Sequence, residues 1–187
     1  MGGPIETPTA EEPAGSVKQF ALALYARDGV PEACLYLQNR HDLDVPVVLF
    51  AAFVGAVRRQ TLTASGADAA RARVEAWHRE VVRPLRAVRQ RLKTGPAPAP
   101  NDITARLRSQ VQKIEIEAEL IELDQLDALI PALEPMPASG SATESAFAAI
   151  ETVVKAYTLV PLDDRDLRAI DTIAGAASGS DDSVEVH

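Results

Sequence analysis

Gly29–Val57 reads GVPEACLYLQNRHDLDVPVVLFAAFVGAV, and its second half decides the fold. From Val45 to Val57, thirteen consecutive residues carry no charge and no polar side chain. A segment apolar on every side predicts a helix at the centre of a core, not one lying on a surface. Its small residues Ala51, Ala52, Gly55 and Ala56 predict close approach by a neighbouring helix. It is too short for a membrane span, which needs roughly 20 apolar residues. Just upstream, Pro31 suits the first position of a shorter helix reaching about His41. Asp42-Leu43-Asp44 then makes the turn, with Asp44 expected to cap the apolar helix.

The composition agrees with an all-helical chain. Of 187 residues, 47% are hydrophobic but only 4% aromatic, with Ala, Leu and Val supplying the apolar content. A β-sandwich would draw more on aromatic and β-branched residues. The expected architecture is all-α: a compact multi-helix bundle around a central apolar helix, with a long helical hairpin. Cys34 is the single cysteine, so no disulfide framework exists within the chain. The first residues lack the basic and apolar regions of a signal peptide, and Glu6 argues against myristoylation at Gly2. A cytoplasmic protein is expected.

The net charge of −8 is unevenly spread. Residues 1–100 hold 13 basic and 10 acidic side chains, whereas residues 101–187 hold 6 and 17. Eight basic residues fall in Arg71–Lys93. The overall charge disfavours nucleic acid as a partner, although association of this basic stretch with RNA or the ribosome is a third possibility.

Outward from the apolar segment, residues 1–15 read as a disordered N-terminal tail, and 16–130 as a helical core domain. Residues 131–174 read as a C-terminal helical extension packing on that core, and 175–187 as a disordered tail. Ser16 with Gln19, Ser65 with Asp68, and Ser141 with Glu144 resemble capping boxes. Val74, Trp77, Val81, Leu85, Val88 and Leu92 form a seam at helical spacing, with a kink or break expected at Pro84. TGPAPAP at 94–100 is a stiff connector. Asp102 is expected to cap a helix running to about Ile130, with Ile103, Leu107, Val111, Ile114, Ala118 and Ile121 as its seam. The two seams are expected to face each other in an antiparallel hairpin.

Chemistry is sparsely signalled. Cys34, Leu37, Gln38 and His41 share one helical face, so a thiol, an amide and an imidazole could line a pocket. Arg86 and Arg89 could hold an anion with their guanidinium forks. The plainer reading buries Cys34 as an inert thiol and pairs the arginines with Glu115, Glu119 and Glu122. Asp42 and Asp44 read as turn and cap residues rather than an acid–base pair. No metal-ligand spacing, phosphate loop or nucleophile elbow occurs, so no catalytic residue, metal or cofactor is expected. Ile116, Leu120, Leu123 and Leu126 widen the apolar surface of the long helix beyond what one partner helix needs.

These residues also carry a resemblance. ALALYARDGVPEACLYLQNRHDLDVPVVLF, Trp77, VVRPLRAVRQRLK at Val81–Lys93 and LRSQVQKIEIEAE at Leu107–Glu119 resemble a family of small helical bacterial proteins of unknown function. The positions carrying it are Tyr25, Cys34, Gln38, Trp77, Pro84, Arg86, Arg89, Glu115 and Glu119. Pro46 stands where that family usually has Asn. The resemblance spans about residues 17–130 and implies no reaction.

The expectation for function is a non-enzymatic adaptor or assembly factor that binds a protein partner or forms a homodimer, with Ile116, Leu120, Leu123 and Leu126 at its contact surface. The alternative is a small-ligand site in which Cys34, Gln38, His41, Arg86 and Arg89 receive an anionic or amphipathic molecule.

Overall fold

A computed structural model describes residues 15–134 and 136–179. Of the tails read at 1–15 and 175–187, residues 1–14 and 180–187 lie outside the described residues, whereas 175–178 are not tail but the end of the last helix, with Ala177 buried. The chain is all-α: α1 Val17–Tyr25, α2 Val30–His41, α3 Val45–Ala56, α4 Ala64–Trp77, a π-helical turn His78–Val82, α5 Arg83–Thr94, α6 Asp102–Asp127, α7 Ala142–Tyr157 and α8 Asp164–Ser178. No described helix is long and apolar enough to cross a membrane.

Helix α3 is the centre. Every residue from Pro46 to Gly55 is buried, and α3 packs against α1, α6, α7 and α8. Its closest neighbour is α7, and Gly55 explains why. A Cβ built at Gly55 would lie 2.5 Å from Ala146 Cα and 2.6 Å from Ala146 N, so the backbones meet where no side chain fits. The buried face of α7, with Ala146, Ala149, Ile150, Val153 and Val154, belongs to the same apolar cluster as α3. The C-terminal extension thus completes the core instead of lying over a finished one.

Local physics at the helix ends differs from the sequence expectation in several places. Thr63, not Ser65, caps α4 by accepting from Gly66 N, and Asn101, not Asp102, caps α6 in a reciprocal box with Thr104. Ser141 and Glu144 do form the expected box. Ser16 accepts from Gln19 N. Asp44 occupies the N-cap position of α3, yet its carboxylate makes no capping hydrogen bond.

The kink expected at Pro84 takes the form of the π turn directly before it. Proline lacks the N–H of a regular α ladder, and a wider turn accommodates the missing bond. The extra residue rotates the downstream helix, so Val82 is buried instead of Val81, and α5 has no buried residue. The hairpin of α5 and α6 is antiparallel, but the two apolar seams close only in part: Ala118 is buried and Leu85, Leu92 and Val111 are half-buried. Ile103 is 70% exposed, and Val88, Leu107, Ile114 and Ile121 are exposed as well. Helix α6 instead turns Thr104, Glu115, Ala118, Glu122, Leu123 and Leu126 inward. On that face Glu115 meets Arg86 and Arg89, one oxygen of Glu122 meets His78, and Thr104 bonds to Asn101 of its own cap, which lets the apolar row face outward.

Candidate functional site

Between α1, α2, α3, α5 and α6 runs a groove of about 440 Å³, partly open to solvent. Leu22 and Tyr25 from α1, Leu35 from α2, Leu49 from α3, and Ile116, Leu120 and Leu123 from α6 give it apolar walls. Gln38, Arg86, Arg89, Glu115 and Glu119 line its polar side. Six of the nine positions that carry the sequence resemblance, Tyr25, Gln38, Arg86, Arg89, Glu115 and Glu119, therefore meet in one place.

The polar side is a closed network. Glu115, only 4% exposed, accepts from Arg86 Nε at 3.0 Å and from both Nε and Nη2 of Arg89, the latter at 3.1 Å. Arg86 Nη2 donates to Glu119 Oε1 at 2.6 Å. The Gln38 carbonyl oxygen, turned toward the guanidinium as hydrogen bonding requires, accepts from Arg86 Nη1 at 2.7 Å and Nη2 at 3.1 Å. Burial penalises the Glu115 carboxylate, but Arg89 and Arg86 overcome this and hold its carboxyl below the usual range. Glu119 goes the other way: burial raises it and Arg86 does not fully compensate. Two guanidiniums against two carboxylates leave the groove formally neutral, with its cations already paired.

The sequence-predicted site residues divide. Gln38, Arg86 and Arg89 line the groove, and so do Ile116, Leu120 and Leu123. One cavity brings together the pocket set and the partner-surface set. Leu126 is not at the surface; it is fully buried in the core. Cys34 does not reach the groove either. It is fully buried among the core residues, and burial pushes its thiol up to about 12. Cys34 should therefore resist a water-soluble disulfide reagent in the native chain and react fully only after unfolding; fast native labelling would contradict this placement. His41 belongs to a different cluster. Its Nε2 lies 2.9 Å from Asp166 Oδ1, beside the Tyr36 hydroxyl that donates to the same oxygen, and it helps fix α2 to α8.

A second polar cluster was missed. The Asp44 carboxylate, instead of capping α3, lies with Oδ2 3.1 Å from His78 Nδ1. Glu122 Oε1 lies 3.2 Å from the same ring nitrogen. Glu122 was expected to pair with an arginine of the basic helix, and His78 takes that place. Burial opposes charge on His78, but the two carboxylates outweigh it and raise the imidazole to about 9. Burial likewise raises Glu122 above the ordinary carboxyl range, despite the pull of His78. The only sequence signal was a histidine next to Trp77 in a predominantly basic stretch.

These features define a helical protein with an amphipathic groove built from residues far apart in sequence. The chain belongs to the family described as protein of unknown function DUF2390, whose profile matches residues 17–126. The match takes in every helix that lines the groove and ends before α7 and α8. No significant match was found among curated proteins or among solved structures.

Proposed function

We propose that this protein is a non-enzymatic binding module, cytoplasmic in location, that receives an amphipathic segment of a protein partner in the groove. The reading rests above all on the groove's make-up. Apolar walls of Leu22, Leu35, Leu49, Ile116 and Leu120 stand opposite a charge network that is already complete. A volume of about 440 Å³ is within the range that takes a few apolar side chains or one drug-sized molecule. An anion seeking Arg86 and Arg89 would have to displace buried Glu115, so the geometry favours a neutral amphipathic occupant over the anionic one. An apolar helix face or strand fits such a groove, using one or two anchoring side chains. RNA association gains little support, because Arg79, Arg83, Arg86 and Arg89 are all paired with carboxylates. Self-association has a separate motive in the exposed row Ile103, Leu107, Ile114 and Ile121, which lies on another face of α6.

The test is site-specific photocrosslinking in cells, with a benzophenone amino acid at Ile116, 44% exposed in the groove, or at Ile103 on the outer row. A heterologous protein adduct from position 116 and none from 103 is expected. Ile116→Asp should weaken association with the captured partner by about 30-fold or more while helicity is unchanged, the usual size of a hot-spot loss. An adduct of the chain with itself from 103 alone would favour the homodimer. A small-molecule mass on the native protein, without any adduct at 116, would replace a protein partner by a small amphipathic ligand.

A further inference from the structure

We infer that Asp44, His78 and Glu122 form a binding site for one divalent transition-metal ion. This inference does not depend on the groove's occupant.

Three elements deliver the ligands: the turn before α3, the first residue of the π turn, and the inner face of α6. The three donor atoms all lie within 4.8 Å of one another. A tetrahedral ion with bonds of about 2.1 Å holds its ligand atoms about 3.4 Å apart. The observed separations of 3.1 Å and 3.2 Å from His78 Nδ1 are close to that without any backbone change.

Hydrogen bonding within the protein does not account for this arrangement. Asp44 is 2% exposed and Glu122 0% exposed, yet both oxygens of Asp44 and Oε2 of Glu122 accept no hydrogen bond of proper geometry. Unpaired buried carboxylate oxygens are costly, and native proteins seldom tolerate them. The one ring nitrogen between them can carry only one hydrogen, so it cannot satisfy two carboxylates. A dication answers all three groups together: it takes the Nδ1 lone pair and balances two negative charges in a water-poor setting. The π turn is part of the device, because it is a local widening that sets His78 against α6; such turns often occur at functional positions.

The donor set selects the kind of ion. One imidazole and two carboxylates suit Zn²⁺, Mn²⁺, Fe²⁺ or Co²⁺. Ca²⁺ needs six to eight oxygens and would be poorly served. Three protein ligands leave at least one coordination position for another group, as in open metal sites generally.

The experiment uses the full chain, stripped with a chelator and dialysed, then titrated with Co²⁺ and Zn²⁺. Calorimetry should give one equivalent, and Co²⁺ should develop visible d–d bands. In the unaltered chain, Zn²⁺ should shift the His78 ring ¹⁵N resonances, a readout that needs no substitution. Glu122→Gln and His78→Gln should each weaken binding by about 100-fold or more, beyond the loss seen when outer-sphere partners are removed. Asp124→Asn, two positions further along α6 and paired with Lys18, should leave it unchanged. Absence of stoichiometric binding, His78 resonances unmoved at saturating Zn²⁺, or equal affinity in Glu122→Gln would each overturn the assignment.

Discussion

Gly55→Ala lowers the thermal midpoint, and Gly175→Ala raises it. The two substitutions are chemically the same, and both glycines sit inside helices. Alanine is favoured over glycine by about 1 kcal/mol in a helix interior, so propensity alone predicts stabilisation at both. Space reverses the sign at one of them. At Gly175 a Cβ meets nothing within 4 Å. At Gly55 it meets the backbone of Ala146 at 2.5–2.6 Å, and a backbone cannot rotate out of the way as a side chain can. Helices α3 and α7 would have to separate along their best-packed stretch, loosening Ala146, Ala149 and Ile150 together. Overpacking of this kind costs about 1–3 kcal/mol after relaxation, and here both partners are main chain, which places the net effect near 3 kcal/mol. For a chain of this length that is a fall of about 6–12 °C, against a rise of about 2–4 °C for Gly175→Ala. Thermal unfolding followed by circular dichroism checks both. Equal midpoints for the Gly55 variant and the unaltered chain would mean that α3 and α7 do not touch as described.

The apolar run from Val45 to Val57 was enough to place α3 at the centre, because a helix without a polar face has nowhere else to go. Gly55 was legible there as a close-approach residue. The partner making that approach was not, since α7 lies about ninety positions downstream and nothing local marks the pairing. Helix α6 shows the opposite difficulty. It carries two apolar stripes, Ile103–Leu107–Ile114–Ile121 and Ile116–Leu120–Leu123, and periodicity cannot say which one faces inward. The choice is made by polar residues: Glu115 and Glu122 can be buried because Arg86, Arg89 and His78 meet them. The π turn adds a one-residue phase shift that no spacing rule anticipates, which is why Val82 and not Val81 is the buried residue below Val74. The groove was half legible for the same reason. Gln38, Arg86 and Arg89 were recognised by chemistry, and Ile116, Leu120 and Leu123 by apolar excess, but their meeting in one cavity is a tertiary fact. Asp44 was misread because aspartate before a helix is usually a cap. Its carboxylate faces a histidine from another helix instead.

Glu115→Gln is the substitution expected to expose how the groove is held together. Glu115 receives three hydrogen bonds from two guanidiniums and, among the described residues, is the only carboxylate that reaches both. With Gln in its place, Arg86 keeps Glu119 and Gln38, whereas Arg89 loses its anionic partner within a largely buried cluster. Breaking a buried pair by removing one member costs about 3–5 kcal/mol, or a fall of roughly 6–20 °C in the midpoint. Arg86→Met should cost a similar amount by the converse route, leaving Glu119 without its cation beside Glu115, which keeps Arg89 alone. Arg86→Met combined with Glu119→Gln should then cost less than the sum of the two single changes, since the second removes the charge orphaned by the first. The pH dependence carries a sign of its own. Glu115 titrates lower in the folded chain than the ordinary 4.5, so the unfolded chain binds more protons in that window. Its contribution is complete above about pH 4.5 and is lost as pH falls towards the folded value. Glu119 is raised, so its part works in reverse and eases slightly on acidification before that loss begins. Urea unfolding from pH 7 to pH 3 should show a steep loss below pH 4.5 in the unaltered chain and a shallower one in Glu115→Gln. Parallel pH profiles would show that Glu115 is not the anionic centre of the network, and the groove would then need another explanation for its closed, neutral rim.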